Sequence, residues 1–167
     1  TAKLEYMGAD KVTPDPIKGG AQMVFSDLGF GAGIMARGFD AKSWFIKELV
    51  KGGVKRSEIA FMSDYKKSDD KLKLFRDVKL GKVRVLVGST KSMGTGVNAQ
   101  KRLVALHHLD APWYPADFQQ RNGRIVRFGN QNKEVIVNAY ATEGTYDTVM
   151  WQMLATKQRF IDQMLQG

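Results

Sequence analysis

The 167-residue chain reads as one α/β domain, a parallel sheet sandwiched by helices and followed by a long C-terminal helix. Three observations predict this. Unbroken β-branched runs such as Val83-Arg84-Val85-Leu86-Val87 mark strands buried on both faces. These runs alternate with segments of helical period, the pattern of parallel crossover folds. A composition of 43% hydrophobic and 26% charged residues suits a globular domain with a single full core.

The elements follow in order. Thr1 to Gly20 carries the breaker pairs Thr13-Pro14, Asp15-Pro16 and Gly19-Gly20, so residues 1–20 are expected to form a lead-in segment. Gln22 to Ser26 reads as a buried strand ending in a loop with Gly29, Gly31 and Gly33. Ser43 to Lys51 is a helix with Trp44, Phe45, Leu49 and Val50 as its apolar positions, stopped by Gly52-Gly53. Ile59 to Met62 is a short strand. Ser68 is the expected N-cap of the next helix, with Asp69 and Asp70 in its first turn. That helix turns Leu72, Phe75 and Val78 inward and ends near Gly81. After the strand Val83–Val87 come Leu103–His107 and Glu134–Tyr140, with a helix from Pro115 to about Ile125 between them. Trp113, just before that helix, is expected in the core. From Thr145 a final helix spaces Val149, Met150, Met153, Leu154, Phe160, Ile161, Met164 and Leu165 at helical period, core on one side and a surface for neighbours on the other. The expected division is 21–142 for the α/β domain and 143–167 for a helix packing on it or on a neighbouring domain.

Charge and composition narrow the function classes. Lysine and arginine number 26 against 17 acidic residues, a formal charge of +9, which suits a polyanionic partner. No apolar run approaches the roughly 20 residues of a membrane span. Without cysteine there are no disulfides or thiolate metal sites, which fits a cytoplasmic protein. His107 and His108 are adjacent on a strand and face opposite ways, so they cannot share a metal; packing and rim positions suit them.

The polar residues that carry information lie where strands end, the place ligands gather in such folds. After Val87 comes Gly88-Ser89-Thr90-Lys91-Ser92-Met93-Gly94-Thr95-Gly96-Val97-Asn98, whose backbone N–H groups are able to cradle a phosphate, or which form an ordinary glycine-rich turn. Asp110-Ala111-Pro112-Trp113-Tyr114-Pro115 leads into Gln120-Arg121-Asn122-Gly123-Arg124-Ile125-Val126-Arg127, a Q-R-x-G-R-x-x-R pattern. On a helix, Arg124 and Arg127 share a face. Two guanidiniums so placed repel unless a polyanion such as a nucleotide triphosphate lies between them. A solvated basic helix is the alternative.

These pieces, in this order, resemble the second RecA-like domain of Swi/Snf-type superfamily-two helicases and translocases over about Gly20 to Asn130. Met23-Val24-Phe25-Ser26 is similar to motif IV, Ser89 to Asn98 to the S-T-R-A-G-G-L-G-I-N of motif V, and Gln120 to Arg127 to motif VI. Gln120 to Asn132, with Glu143-Gly144-Thr145-Tyr146-Asp147 and Trp151, further resembles the helicase region of large methyltransferase–helicase polypeptides of phages and mobile elements. Two positions depart from the branch: Asn130 follows Gly129 where Gln is usual, and Val126 stands where His is frequent.

The resemblance implies a set of roles. Arg127 would be the arginine finger on the γ-phosphate of ATP, with Arg124 beside it. Gln120, Gly96 and Asn98 would line the nucleotide, and Ser89, Thr90 and Lys91 would meet the DNA backbone. No G-x-x-x-x-G-K-[ST] and no D-E-x-[HD] occurs, and in this family both belong to the first RecA-like lobe. ATP with Mg²⁺ would therefore be held mainly by that lobe, and this chain is expected to be half of a motor, inactive alone. A non-catalytic DNA-binding or scaffolding domain retaining the fold is the second reading. The nucleotide-sugar half of a two-lobed glycosyltransferase is the third, and it leaves the arginine pair unexplained.

Overall fold

The computed structural model describes residues 20–28, 30, 39–93 and 99–166. Five parallel strands form one sheet: β1 (Ala21–Phe25), β2 (Ile59–Phe61), β3 (Val85–Gly88), β4 (Leu103–His108) and β5 (Ile136–Ala139), in the spatial order β2-β3-β1-β4-β5. The helices are α1 (Ala41–Lys51), α2 (Ser68–Lys79), a four-residue α3 (Thr90–Met93), α4 (Pro115–Asn122) and α5 (Tyr146–Gln166). Because side chains alternate along each strand, the two faces build separate cores. Val24, Ile59, Phe61, Val85 and Val87 pack against Phe45, Ile46 and Leu49 of α1. Met23, Phe25, Leu86 and Leu106 pack on the other face against Leu74, Phe75 and Val78 of α2, together with Met93 and Ile125.

Asp40 caps α1, accepting the Ser43 N–H at 3.0 Å, and Gly52 and Gly53 end the helix with N–H groups on Glu48 and Val50 carbonyls. Several expected details are corrected. In α1, Ile46 faces the core while Trp44 and Val50 face solvent. In α2 the inward leucine is Leu74, and Leu72 is exposed, since Leu74 shares a face with Val78. Ser68 is the first residue of α2 rather than its cap; Lys67 precedes it with no side-chain capping bond. Trp113 is 56% exposed, because the buried inward positions of its segment go to Pro112 and Pro115.

Among the described residues the sheet is covered on both faces at its centre but not at β5, where Ile136 and Val137 are exposed on an edge strand paired with β4. On α5, Leu154 is buried and Trp151 packs edge-on against Phe118 and His108, while Val149, Met153, Phe160, Ile161, Met164 and Leu165 stay exposed. The final helix therefore contributes little to the described core. No helix among the described residues is long and apolar enough to cross a membrane.

Candidate functional site

Parallel strands bring the loops after β1, β3 and β4 to one edge of the sheet, and the charged residues gather there. The centre is Arg121, whose side chain is fully buried. Its Nε donates to Thr90 Oγ1 at 2.8 Å. One terminal nitrogen donates to the Asp110 carbonyl at 3.0 Å and to His108 Nδ1 at 3.3 Å. The other donates to Asp27 Oδ2 at 2.7 Å and to Asp110 Oδ1 at 3.3 Å. All five guanidinium N–H groups are thus used, by residues from the β1 loop, α3, β4 and the β4 loop. The Phe25 ring lies beneath the guanidinium at 5.3 Å.

The partners are held in turn. Asp110 accepts the Ser26 hydroxyl and the Asp27 and Leu28 N–H groups at 2.6–3.0 Å, pinning the loop after β1. Asp27 accepts both the N–H and the hydroxyl of Thr90. His108 lies between Phe25 and Phe118 and places Nε2 2.9 Å from Asn122 Oδ1. Since arginine only donates, His108 Nδ1 must accept, and its proton sits on Nε2 facing Asn122. Burial pushes the His108 pKa from the ordinary 6.5 to about 4; the bond to Asn122 works against that shift and the Arg121 charge adds to it. His107 faces the opposite side of the sheet, as the sequence predicts, bonded to Gln22 and the Tyr140 hydroxyl.

Thr90 is therefore not positioned as a DNA contact: it is buried, and its hydroxyl lies between Asp27 and Arg121. The Ser89 hydroxyl accepts the Ser92 N–H at 3.1 Å while Ser92 Oγ accepts the Ser89 N–H at 2.9 Å, a reciprocal cap on α3. Of the three residues expected on DNA, Lys91 is the exposed one. A cleft of about 200 Å³ lies beside them, lined by Ser26, Asp27, Phe61, Ser63, Gly88 and Ser89 among others. A Cβ at Gly88 would stand 2.7 Å from Met93 Cγ and 2.9 Å from Ser92 Oγ, so only glycine lets α3 close over the strand end.

The arginine pair departs from the expected geometry. Helix α4 ends at Asn122, not near Ile125, with Gly123, a poor helix former, at the break. Arg124 and Arg127 therefore ride on a succession of tight turns, beginning with the Arg124 N–H on the Arg121 carbonyl and the Ile125 and Val126 N–H groups on Asn122. They remain neighbours. Burial lowers the Arg124 pKa, and repulsion from the Arg127 guanidinium lowers it further. Arg124 is half-buried, and Arg127 and Gln120 are exposed. Ile125, between the two arginines, is completely buried. Asn130 Nδ2 donates to the Ile125 and Leu103 carbonyls, and Asn132 donates to Asn130 Oδ1 and Leu103, stapling the turn to the start of β4. Gly129 closes it at φ +92°. Gly96 and Asn98 lie outside the described residues.

Asp27, Asp110, His108 and Asn130 were not among the residues expected to shape the site. Their signal in sequence is only that each stands at the end of a strand or beside motif VI.

Residues 37–129 match the model of the helicase conserved C-terminal domain. Over 95 residues, 57% of the chain, it is 31% identical to "Defense against restriction protein B" of Escherichia phage P1. Over 128 residues, 73% of the chain, it is 30% identical to the uncharacterized ATP-dependent helicase YqhH of Bacillus subtilis (strain 168). The chain spans 4% and 20% of those two relatives' lengths. Among solved structures, the C-terminal part of the Fun30 ATPase domain superposes with TM-score 0.62 at 19% identity, covering 81% of this chain and 39% of that one. The C-terminal domain of S. cerevisiae Dbp5 bound to Gle1 and IP6 gives 0.56 at 14%, covering 86% and 70%. At these identities the two structures share the fold with it. The family match runs from just before α1 through all three motif VI arginines, and with it the chain belongs to the helicase conserved C-terminal domain family.

Proposed function

We propose that this lobe is the second half of an ATP-driven DNA translocase or helicase. The observation that supports this best is the turn that carries the guanidinium pair: Ile125 anchors it from beneath, with half-buried Arg124 before it and exposed Arg127 after it. Such a pair suits the oxygens of a triphosphate. Arg127, the exposed member, would reach across a cleft to the γ-phosphate held by the first lobe and stabilise the charge that develops there. Arg124 would contact the same phosphates, and Gln120 would orient the turn or the attacking water. Gly96 and Asn98, which follow α3 in sequence, would line the nucleotide, and Lys91 would track DNA phosphates. Asp27 and Asp110 are committed to Arg121, and among the described residues no three His, Cys, Asp or Glu side chains gather as a metal set. By resemblance to the family, the Mg²⁺ that accompanies ATP would be held mainly by the first lobe.

The test is turnover by the polypeptide that joins this lobe to its Walker A lobe. An arginine finger contributes roughly 10³–10⁵ in rate, or about 4–7 kcal/mol of barrier. Arg127→Ala should remove most turnover while ATP binding persists, and Arg127→Lys should not restore it. The 167-residue chain alone should hydrolyse no ATP. Near-normal turnover by Arg127→Ala would overturn the assignment.

A further inference from the structure

Arg121 is bonded at both of its ends. Its guanidinium holds Thr90, the first residue of α3 and the neighbour of Lys91, and holds Asp27, which grips the same Thr90 through two further bonds. Its backbone carbonyl accepts the Arg124 N–H at 3.1 Å, the bond that opens the turn carrying Arg124 and Arg127. A displacement of α3 would strain charge-assisted bonds to a buried guanidinium, and that guanidinium and the arginine turn belong to one short segment. Close-packed buried networks of this kind rearrange between discrete states rather than stretch.

We propose that Arg121 is a positioning residue that transmits occupancy of the DNA-facing loop to the arginine turn, so that DNA contact at α3 sets the placement of Arg127. This rests on the reading of the lobe as half of a DNA-stimulated ATPase. A buried ion network kept only for stability is replaceable by apolar packing at little cost. What apolar packing would not supply is the directional tie between four chain segments. Lysine at this position retains the charge but not the five-donor fork, so it should keep the fold better than it keeps the coupling. Asp27→Asn keeps the shape of the side chain and loses the acceptor shared by Arg121 and Thr90.

The experiment measures turnover of the two-lobe polypeptide without DNA and at saturating duplex DNA, with thermal unfolding of each variant alongside. For Arg121→Lys, the stimulation ratio should fall about tenfold or more, within the usual range of site-to-site coupling, while DNA-free turnover and the half-saturating DNA concentration move by less than about threefold. Asp27→Asn should do the same, and it carries the test if Arg121→Lys does not fold, since at 31% exposure Asp27 is the less buried member of the pair. An unchanged stimulation ratio, or DNA-free and DNA-stimulated turnover falling in parallel, would overturn the coupling role. A wild-type polypeptide whose turnover ignores DNA would overturn the helicase reading itself, a separate result.

Discussion

Replacing Arg121 by Met removes the charge that two carboxylates share while roughly keeping the side chain's length. The structure sets the scale. Five hydrogen bonds disappear, along with the contact over Phe25. The Asp110 side chain is 9% exposed and would keep only its three donors from Ser26, Asp27 and Leu28. Asp27 is 31% exposed and is able to recover part of its hydration. Removing one partner of a buried ion pair costs about 3–5 kcal/mol, because the remaining charge stays in a poorly solvating place. For a chain of this size each kcal/mol moves the Tm by roughly 2–4 °C, so the midpoint should drop by about 6–20 °C. Calorimetry or circular dichroism on the 167-residue chain reads this directly. Arg127→Ala, at an exposed position, serves as the control and should stay within about 0.5 kcal/mol. If Arg121→Met costs less than about 1 kcal/mol, the network does not hold the strand-end loops together.

His108 should make stability pH-dependent. Its pKa in the fold is depressed to about 4 from 6.5, so the unfolded chain takes up the proton first. Its contribution is complete above about pH 6.5, falls as the pH is lowered towards 4 and falls no further below, about 3 kcal/mol in all. Burial lowers His107 as well, in the same sense. Urea unfolding across this window should show a flatter curve for His108→Gln than for wild type, and parallel curves would refute the assignment. Gly129→Ala places a Cβ in ordinary contact with Gln100 Nε2 at 3.6 Å but at φ +92°, so backbone strain should cost about 1–2 kcal/mol by chemical denaturation; no loss would mean that the turn relaxes. Lys91→Ala should weaken binding to all duplex sequences alike and reduce the salt slope by about 1, measured by fluorescence anisotropy; unchanged binding would remove Lys91 from the phosphate track.

The strands were legible in the sequence because strands buried on both faces leave continuous apolar runs, and all five predicted runs overlap their strands to within two residues at each end. The fifth, β5, was placed correctly but expected to be covered. A run of apolar residues does not show whether a helix lies over it, and Ile136 and Val137 lie open at the edge. In α2, the alternation Leu72-Lys73-Leu74 supplies an apolar residue to either face, and only the sheet opposite decides between them. The extent of α4 was overread because the arginine spacing fits a helix; Gly123 marked its end all along. The arginines themselves stood out, since motif VI is contiguous. The Arg121 network did not, because Asp27 lies 94 residues away and no local pattern announces a pairing made by folding.

The turn from Gly123 to Gly129 is fastened at several points: Ile125 is sunk in the core, the Asn130 amide binds the Ile125 carbonyl, and Asn132 ties Asn130 to β4. Immobilising a flexible loop of seven residues at the moment of ligand contact would cost roughly 1–2 kcal/mol for each residue fixed. Here that entropy is lost once, when the domain folds, and in the proposed function the arginines would meet their ligand with little beyond their own rotamers left to order. Loosening these fastenings would leave the contacts of the bound state intact on paper yet weaken them in solution. The amide of Asn130, which touches no ligand in this reading, would thereby govern how sharply Arg127 is aimed.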